Sequence, residues 1–557
     1  MLKRILLFLF FALQFSDSFS QLTITKYWIR FTDKNNSPYS ISNPEVYLSP
    51  RAIDRRARFN IAVDWYDLPV NPQYVDSVLA TGVQVLERSK WLNSVTISTS
   101  DSAALAHISQ LPFVLSSTPV APKTKPRNYN FHSVRQELNF SNDPFDYGKA
   151  TTQFEMIDGK SLHFNGYRGE GMQIAMLDEG FLNTDSLFVF DSININHQIL
   201  GTWNFVDGGA DVFNSGSHGS ACLSTIAANS PGVMIGTAPH AKFWLLHTEN
   251  HSTENPIEEI NWVSGAEFAD SVGADVLSCS LGYTRFDSLL AGSNNTYSML
   301  DGRHTPCSIA ATICARKGMI VCNSAGNEGS PPSTSNPSPF HYISAPADAD
   351  SIITVGATDI EGNPASFTSY GPSYDGRVKP DVAAMGVQTQ KINAYTNVVD
   401  GGNGTSFSCP TIAGMTACLW QAHPDKTNME VIHAIQQSGS IHKFPDDRIG
   451  YGIPDFEIAD MLLSGYKTDN FDTNKLPILF PNPFSENGFD ILIQLDGDEP
   501  LEVEIFDMMG KLLMSDTIGY SQGIFKLHYN LNLADGVYTI RLTNSNTSYL
   551  LRGMKVN

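Results

Sequence analysis

Short apolar runs alternate with segments of helical spacing through the middle of the chain, from about residue 149 to 465. The runs are continuously apolar, and glycine or polar turns bound each of them. Continuous apolar strands between helices are typical of a parallel sheet covered on both faces, so a doubly wound, mostly parallel α/β domain is predicted. Its strands are expected at residues 173–178, 241–247, 274–282, 318–327 and 351–357.

The segment before this domain, residues 21–120, has a different pattern. Residues 26–31 and 91–98 alternate as strands do, whereas residues 71–86 and 101–111 have helical spacing. A small α+β unit is therefore predicted here.

The last part of the chain, about 475–557, changes pattern again. Three of its segments alternate at period two, and turns separate them (489–495, 501–506 and 537–542). This predicts an antiparallel β-sandwich. Residues 121–148 are rich in proline, asparagine and charge without a period, and are predicted to be a linker. A second linker is placed at 466–474.

The N-terminus has the layout of a secretory signal peptide. Two positive charges precede an unbroken apolar run at 5–13, and small residues lead to Gln21, so cleavage is predicted near Ser20. Nine apolar residues are far fewer than the roughly 20 that span a bilayer. No later segment is long and apolar enough, so a secreted protein without a transmembrane segment is expected.

The charge of the chain argues against nucleic-acid binding, and the spacing of its cysteines argues against a structural zinc site. The chain has 36 basic and 57 acidic residues, a net charge of −21, whereas a nucleic-acid partner would need a basic face. The seven cysteines show no CxxC spacing, so structural zinc is not expected. Most lie in apolar contexts, which favours buried thiols, although Cys279 and Cys322 could pair across neighbouring strands.

Polar residues fall where the predicted parallel strands end. Asp178 ends one apolar run, and Ser280 and Asn327 fall at the ends of two others, at the sheet edge where such domains bind ligands. His218 opens a predicted helix, with Ser217 or Asp211 nearby to cap or orient it. The positive end of a helix dipole favours the neutral imidazole that a general base requires. Taken singly, each of these residues also has a structural explanation.

The run GNGTSFSCPTIAGMTACLW holds two candidate nucleophilic serines. Pro410 is tolerated in a first helical turn, so a helix is predicted to begin near Ser406 or Phe407. A serine there has its Oγ at the helix mouth, beside free backbone N–H groups that can hold an oxyanion. Ser408 is rotated from Ser406 by about 200° around the axis. Only one of the two serines can face a given site, and Ser406 is the candidate nucleophile.

The order Asp178, His218, Ser406 is one of the known orders of a Ser-His-Asp triad. With the blocks around these residues, the region of about 149–465 resembles the subtilisin-like serine proteases, or subtilases. The blocks that carry the likeness are GTSFSCP, HGSACLSTIA and SAGNEG, supported in order by GTAPHAKFWLL, SLG, PADADSIITVGATD, SYGPSYDGRVKPDVAAMG and GYGIPD.

The resemblance implies a secreted endopeptidase that acts on protein or peptide substrates through a triad and an acyl-enzyme. It places the oxyanion hole at the Asn327 side chain and the Ser406 N–H. It places substrate-binding segments opposite each other, at Ser280, Leu281 and Gly282 and at Ala325 and Gly326. It assigns no cofactor and no metal ligand, although a structural calcium ion stays possible.

Three positions depart from the subtilase pattern. Glu179 stands where a small hydroxyl residue is usual, Ser220 replaces a threonine, and Met385 replaces a proline. Glu179 would raise the proton affinity of His218 if it pointed inward. No reacting group is lost, so an active enzyme is expected; the alternative is a catalytically silent surface-binding or adhesion protein with the same fold.

The flanking units also have counterparts among secreted subtilases. Residues 21–120 have the place and size of a propeptide that inhibits its own enzyme and assists folding, with processing within 121–148; a permanent accessory domain is the alternative. Residues 475–557 are similar to the sorting domain of type IX secretion cargo in Bacteroidetes-type bacteria, through LFPNPF, IFDMMGK, LADGVYTIRL and RGMKVN. This implies a secretion-machinery partner and a secreted or surface location; the alternative is a carbohydrate- or surface-binding sandwich.

Overall fold

A computed structural model describes residues 24–122, 140–330, 340–464, 477–485, 488–495, 500–518, 523–545 and 547–556. The predicted signal peptide, most of the 121–148 linker and the 466–474 linker lie outside these residues. Among the described residues, no helix is long and apolar enough to cross a membrane.

The N-terminal unit is an antiparallel sheet with helices, as predicted. Its strands have the order β2-β3-β1-β4, with bounds β1 (Ile24–Phe31), β2 (Gln84–Ser89), β3 (Ser94–Ser98) and β4 (Val114–Pro122). Its helices are α1 (Pro50–Arg58), α2 (Pro72–Leu79) and α3 (Ser102–Gln110), with a 3₁₀ turn at Pro44–Val46. Each of these α-helices is capped at its start by a side-chain oxygen. The capping residues are Ser49 for α1, Asn71 for α2 and Asp101 for α3.

The helix predicted over 71–86 is only partly correct. It ends at Leu79, and β2 begins at Gln84. Gly82, with φ of +87°, reverses the chain between them, a conformation that glycine adopts without steric cost.

The central unit contains a seven-stranded parallel sheet of order β13-β12-β11-β10-β5-β9-β6. The strands are β5 (Gln173–Asp178), β6 (Ile199–Asn204), β9 (Lys242–His247), β10 (Val276–Cys279), β11 (Ile320–Ser324), β12 (Ile353–Thr358) and β13 (Val382–Met385). Two antiparallel pairs lie beside it, β7 (Asn229–Ser230) with β8 (Met234–Ile235) and β14 (Thr389–Asn393) with β15 (Val398–Gly402).

Helices cover both faces of this sheet. They are α4 (Thr151–Glu155), α5 (Lys160–Phe164), α6 (Asp191–Ile195), α7 (Ser217–Ala227), α8 (Ile257–Val272), α9 (Pro306–Arg316), α10 (Thr405–Ala422), α11 (Asn428–Gln437) and α12 (Phe456–Leu463). Short 3₁₀ turns occur at Phe188–Phe190, Ser288–Ser293 and Tyr297–Met299.

The alternation along β5 shows how the two layers form. Ile174 and Met176 join the buried cluster that contains α7 and α10, whereas Ala175 and Leu177 join the cluster that contains α8 and α9. Burying a side chain the size of leucine or isoleucine contributes about 1.5–3 kcal/mol. The predicted doubly wound α/β architecture is confirmed.

The C-terminal unit is made of strands in the order β19-β18-β21-β22-β16-β17-β20. Their bounds are β16 (Ile478–Ser485), β17 (Gly488–Leu495), β18 (Leu501–Phe506), β19 (Leu512–Ile518), β20 (Gly523–Tyr529), β21 (Gly536–Thr543) and β22 (Ser548–Lys555). The pairs are antiparallel except that β16 meets β22 in parallel at Phe484 and Lys555. Strand β18 buries Leu501, Val503 and Ile505 on one face, so the predicted period of two is confirmed.

All seven cysteines are free and buried. The proposed pairing of Cys279 with Cys322 is wrong, because the register of β10 and β11 places Cys322 opposite Ser278 instead. Successive strand residues point to opposite faces. Cys279 consequently packs in the α8 and α9 layer, and Cys322 in the α7 and α10 layer.

Candidate active site

The candidate residues meet at the carboxyl edge of the central sheet. Asp178 is the last residue of β5, Ser280 directly follows β10, and Asn327 lies three residues after β11. Strand β10 pairs with both β5 and β11, so the three strand ends are neighbours. The prediction that these polar residues share one edge is confirmed.

Asp178 and His218 are joined by a hydrogen bond. His218 Nδ1 lies 2.8 Å from Oδ1 of the fully buried Asp178, and the imidazole keeps 29% of its surface exposed. Gly219 makes this approach possible, because a Cβ there would stand 2.2 Å from the Gly180 carbonyl oxygen and 2.9 Å from Asp178 Cβ. The helix that carries His218 can therefore pack directly against the end of β5.

The proton affinity of His218 is set by its carboxylate neighbour. Burial alone would lower the pKa of His218, but the adjacent Asp178 more than offsets this and holds that pKa well above its usual range. From its place at a helix N-terminus, we had expected the pKa of His218 to be lowered. A full carboxylate charge at 2.8 Å outweighs the partial charge of a helix dipole.

Glu179 caps the helix that carries His218. Its Oε1 accepts a hydrogen bond from the His218 backbone N–H at 3.2 Å, and its Oε2 lies 2.6 Å from His251 Nδ1. The sequence had suggested Ser217 or Asp211 as this cap, but neither residue supplies it. Asp211 instead accepts hydrogen bonds from Phe213 and Asn214. The extra carboxylate is thus engaged by the helix N-terminus and by a second histidine.

Ser406 is the second residue of α10, which begins one residue earlier than predicted, at Thr405. Ser406 is 8% exposed, and its hydroxyl donates to the Ser280 carbonyl oxygen at 3.3 Å. Pro410 is then the sixth helical residue, so its missing N–H does remove a helical hydrogen bond, the one to the Ser406 carbonyl. The prediction that Pro410 lies in the first helical turn was wrong.

Two side chains from other elements replace the missing donor. The Ser406 carbonyl oxygen accepts from Ser280 Oγ at 2.9 Å and from Cys222 Sγ at 3.2 Å. Burial raises the pKa of the Cys222 thiol, which keeps it protonated and able to donate. The backbone of the candidate nucleophile is therefore held from β10 and α7.

Cys222 also connects Ser406 to His218. Its sulfur lies 3.7 Å from His218 Nδ1 and 3.8 Å from Nε2. This role of Cys222 was not predicted from the sequence, although the spacing of four residues places Cys222 one helical turn after His218. Ligand atoms of Asp178, His218 and Cys222 lie within 4.8 Å of one another, which is close enough for a metal ion.

Asn327 and Ser406 flank a small space at the mouth of α10. Asn327 Oδ1 accepts from the Thr405 N–H at 3.0 Å and from Thr405 Oγ1 at 3.1 Å, which fixes the orientation of the amide. A Cβ on Gly404 would stand 3.6 Å from Ser406 N and 3.8 Å from Asn327 Nδ2. Gly404, with φ of +152°, leaves this space open between two N–H donors.

The two predicted substrate-binding segments converge on Ser344. A Cβ on Gly282 would lie 2.0 Å from Ser344 Oγ, and one on Gly326 would lie 3.0 Å from it. The Ser344 hydroxyl is buried and has no hydrogen-bond partner among the described residues. Sequence reasoning did not single out Ser344, because it lies far from both segments in the chain.

The other members of these segments differ in accessibility. Leu281 and Ala325 have their side chains buried in the α8 and α9 layer, and Ser280 is also buried. Gly282 is exposed. Leu281 and Ala325 can therefore present only their backbone to a ligand.

The N-terminal unit docks on α8 and α9 through buried charges. Asp270, which is fully buried, binds Arg55 Nη2 at 2.6 Å, Arg56 Nη2 at 2.8 Å and Lys90 Nζ at 3.2 Å. Glu267 accepts from Ser89 Oγ at 2.6 Å and from two backbone N–H groups. Burial alone would raise the pKa of Asp270, but the three cations hold it well below its usual range.

Three family descriptions match separate parts of the chain. Residues 169–452 match the subtilase family, residues 26–136 match the peptidase S8 propeptide domain of Bacteroidota, and residues 478–553 match a secretion system C-terminal sorting domain. The sorting domain indicates a secreted or cell-surface protein.

The chain is similar to characterised subtilisins. It is 30% identical to subtilisin NAT of Bacillus subtilis subsp. natto over 293 residues, 51% of this chain and 64% of that protein. It is 29% identical to the subtilisin of Bacillus pumilus, over 51% of this chain and 89% of that one. The chain thus spans less than two thirds of the first of these relatives.

A solved structure shares the fold. The epidermin leader peptide processing serine protease from Staphylococcus aureus superposes with a TM-score of 0.52, at 17% identity, covering 78% of this chain and 97% of that one. The subtilase match covers about half of the chain and includes all three residues of the candidate triad. The chain belongs to the subtilase family.

Proposed function

We propose that the protein is a secreted serine endopeptidase, made as a zymogen, in which Asp178, His218 and Ser406 form the catalytic triad. The observation that carries this proposal is the 2.8 Å hydrogen bond from His218 Nδ1 to Asp178, with Cys222 linking that histidine to Ser406. The Ser406 hydroxyl donates to the Ser280 carbonyl oxygen in this structure and turns towards His218 Nε2 to react. Substrates are proteins or peptides.

Each residue of the triad has its own role in the proposed mechanism. Ser406 Oγ attacks the peptide carbonyl while His218 takes its proton, and His218 then donates that proton to the leaving amine. Asp178 holds the imidazole tautomer and stabilises the imidazolium. A water molecule, activated by His218, then hydrolyses the acyl-enzyme and regenerates the serine.

The space beside Gly404 suits the oxyanion. Asn327 Nδ2 and the Ser406 N–H border it, and the Thr405 hydrogen bonds fix the amide before substrate arrives. Donors held in place in this way need no reorganisation as charge develops on the carbonyl oxygen. Ser280, Leu281 and Gly282, facing Ala325 and Gly326, are proposed to bind the substrate backbone, with the Ser344 hydroxyl next to both Gly282 and Gly326.

The flanking units complete the zymogen in this proposal. Residues 21–120 act as the inhibitory propeptide, with processing within 121–148, ahead of a peptidase domain at 149–465. Residues 475–557 engage the secretion machinery. The buried ion pairs between Asp270 and the N-terminal unit support a docked propeptide.

Labelling with a fluorophosphonate tests the proposal against the silent adhesion alternative. The probe reacts with a serine only when an adjacent base and an oxyanion hole activate it. We expect the secreted, processed protein to be labelled and to hydrolyse a denatured protein substrate. A folded and processed protein that is neither labelled nor proteolytic would contradict the proposal.

The pH dependence of the enzyme should reflect the raised pKa of His218. The general base works as neutral imidazole, so activity is lost as the pH falls through that pKa. Because Asp178 raises it, kcat/KM should rise with pH through an apparent pKa above 6.5, giving an alkaline optimum. The profile is measured with an uncharged peptide substrate, and residual activity at pH 8 after each incubation controls for unfolding. An acid limb centred below 6.5 would refute this assignment.

Replacing Asn327 by alanine should lower kcat while leaving KM nearly unchanged. The lost donor stabilises the transition state, and removal of one such donor costs about 10²–10³ in kcat, a magnitude established on subtilisin, a relative of this chain. Steady-state kinetics of the two proteins measure the effect. Asn403→Ala is the matched control, because Asn403 is exposed and accepts from Gln388. Equal kcat in N327A and wild type would remove Asn327 from the oxyanion hole.

A further inference from the structure

The buried carboxylate of Asp178 is held through one of its two oxygens. Its Oδ1 accepts a hydrogen bond from the Glu179 backbone N–H at 2.8 Å and lies 2.8 Å from His218 Nδ1. Its Oδ2 has no hydrogen-bond partner among the described residues. A carboxylate bound at one oxygen is oriented less firmly than one bound at both. The orientation of Asp178 therefore depends on where Glu179 and His218 are held.

Glu179 contacts both members of the Asp178–His218 pair. Its backbone N–H binds Asp178 Oδ1, and its side-chain Oε1 accepts from the His218 backbone N–H at 3.2 Å. One residue thus connects the end of β5 with the first turn of α7. The small hydroxyl residue that is usual here in subtilases has a single side-chain oxygen, whereas Glu179 has a second one that is free to bind elsewhere.

His251 binds this second oxygen. Glu179 Oε2 lies 2.6 Å from His251 Nδ1; the Glu179 side chain is 11% exposed and the His251 ring 59%. A buried charge is costly unless hydrogen bonds occupy its oxygens. Without His251, one oxygen of the Glu179 carboxylate would be unpaired. The side chain would then gain free energy by turning towards solvent, and its contact with His218 would be lost.

The loop that carries His251 is itself anchored at the triad. Thr248, directly after β9, is fully buried, and its backbone N–H donates to the Asp178 carbonyl oxygen at 2.9 Å. Three residues later the His251 ring returns to Glu179. The end of β5 is therefore bound by α7 on one side and by the β9–α8 loop on the other, and Glu179 contacts both.

The pair formed by His251 and Glu179 should affect the rate more than the stability. Ion pairs with an exposed partner contribute little to the free energy of unfolding. In contrast, a displacement of about 1 Å in an active site can cost about 10²-fold in rate, even when the change lies away from the reacting atoms. His218 must be placed correctly towards both Asp178 and the Ser406 hydroxyl, so its support has a direct kinetic consequence.

We propose that His251 is a positioning residue for the catalytic reaction and acts through Glu179. His251 holds the Glu179 carboxylate in place, and Glu179 in turn holds the helix of His218 against Asp178. The inference rests on the proposed protease function. It gives the departure from the subtilase pattern at position 179 a role in ordering the triad.

The test compares His251→Ala with His251→Asn in processed enzyme obtained from the full chain. The asparagine amide nitrogen takes the place of Nδ1 and can still donate to Glu179, whereas alanine cannot. We expect H251A to lower both kcat on an internally quenched peptide and the rate constant of fluorophosphonate labelling by about tenfold. KM should stay within about twofold, and H251N should keep kcat within about threefold of wild type.

A double-mutant cycle tests whether His251 acts through Glu179. Glu179→Ala alone should lower kcat by about 10–100-fold, because it removes the contact with the His218 N–H as well. Adding H251A to this variant should change kcat by less than about twofold, since the group that His251 holds is already gone. Two residues that act independently would instead give losses that multiply.

His304→Ala is the matched control. His304 Nδ1 lies 2.8 Å from Asp301 Oδ1, with the ring 55% exposed and the carboxylate 17%, so the pair resembles that of His251 and Glu179. It lies just before α9 and outside the candidate site, and kcat should not change. The amount of bound fluorophosphonate gives the concentration of active sites, so that kcat per site is not affected by a misfolded fraction.

Four results would overturn the positioning role. Equal kcat and labelling rates in H251A and wild type would refute it and leave the protease function standing. A raised KM with unchanged kcat would assign His251 to substrate binding. Losses that multiply in the double variant would show that His251 does not act through Glu179. Absence of both labelling and cleavage in wild type would refute the protease function and the positioning role together.

Discussion

Replacing Ser406 by alanine should abolish fluorophosphonate labelling and lower kcat by about 10⁶-fold, the size of the loss measured in subtilisin, a relative of this chain, when its nucleophile is removed. The chain should also remain unprocessed if processing is its own reaction. The fold should survive, because the one hydrogen bond that the Ser406 hydroxyl makes among the described residues is long, at 3.3 Å, and the alanine fits the same space. Labelling intensity, single-turnover kinetics and the mass of the secreted chain measure these effects.

Ser408→Ala is the matched control for this experiment. Ser408 lies two residues further along α10, is fully buried, and donates to the Thr405 carbonyl oxygen at 3.0 Å. Its loss should cost about 1 kcal/mol of stability and leave labelling unchanged. Labelling that persists in S406A and disappears in S408A would mean that the nucleophile has been assigned to the wrong serine.

Replacing Asp270 by asparagine should detach the N-terminal unit from the central unit. The change leaves Arg55 and Lys90 buried beside a neutral amide, whereas Arg56 keeps its ion pair with Asp67. Uncompensated buried charges of this kind cost about 3–5 kcal/mol. Docking should therefore weaken by about 10²–10⁴-fold. We expect amides of residues 24–122 to exchange hydrogen much faster in D270N, measured in the unprocessed S406A background.

Asp64→Asn tests whether any ion pair across the same interface would have this effect. Asp64 binds Lys317 at 2.8 Å, but its side chain is 43% exposed and Asp67 also pairs with that lysine. Exposed pairs contribute about 0–1 kcal/mol, so exchange should change little. Unchanged exchange in D270N would show that the buried charges do not hold the units together.

Much of the fold follows from local pattern. The strand predicted at 173–178 is found at those residues, because its apolar residues are buried on both faces and polar turns bound it. Strand β16 was not predicted, because Pro481 and Pro483 favour a turn over a strand in this part of the sequence. Its pairing with β17 and β22 is decided by residues far away in the chain.

Some features of the candidate site can also be predicted from the sequence, and others depend on tertiary packing. The places of Asp178, His218, Ser406 and Asn327 follow from strand ends, helix starts and the family likeness. The raised pKa of His218, the cap supplied by Glu179 and the position of Ser344 depend on contacts across long stretches of chain. Tertiary packing sets the distances between these residues. The spacing of residues along the sequence does not determine such distances, so they could not be predicted from the sequence alone.

The absence of an N–H at Pro410 also bears on how these positions can change during evolution. The Ser406 carbonyl relies on Ser280 and Cys222 because the helix offers it no donor. Restoring that donor with another residue at 410 would relax selection on both side chains, whereas losing both of them with Pro410 retained would leave a buried acceptor unpaired. The residues at positions 222, 280 and 410 should therefore covary among relatives, with the loss of both side-chain donors found only where position 410 is no longer proline.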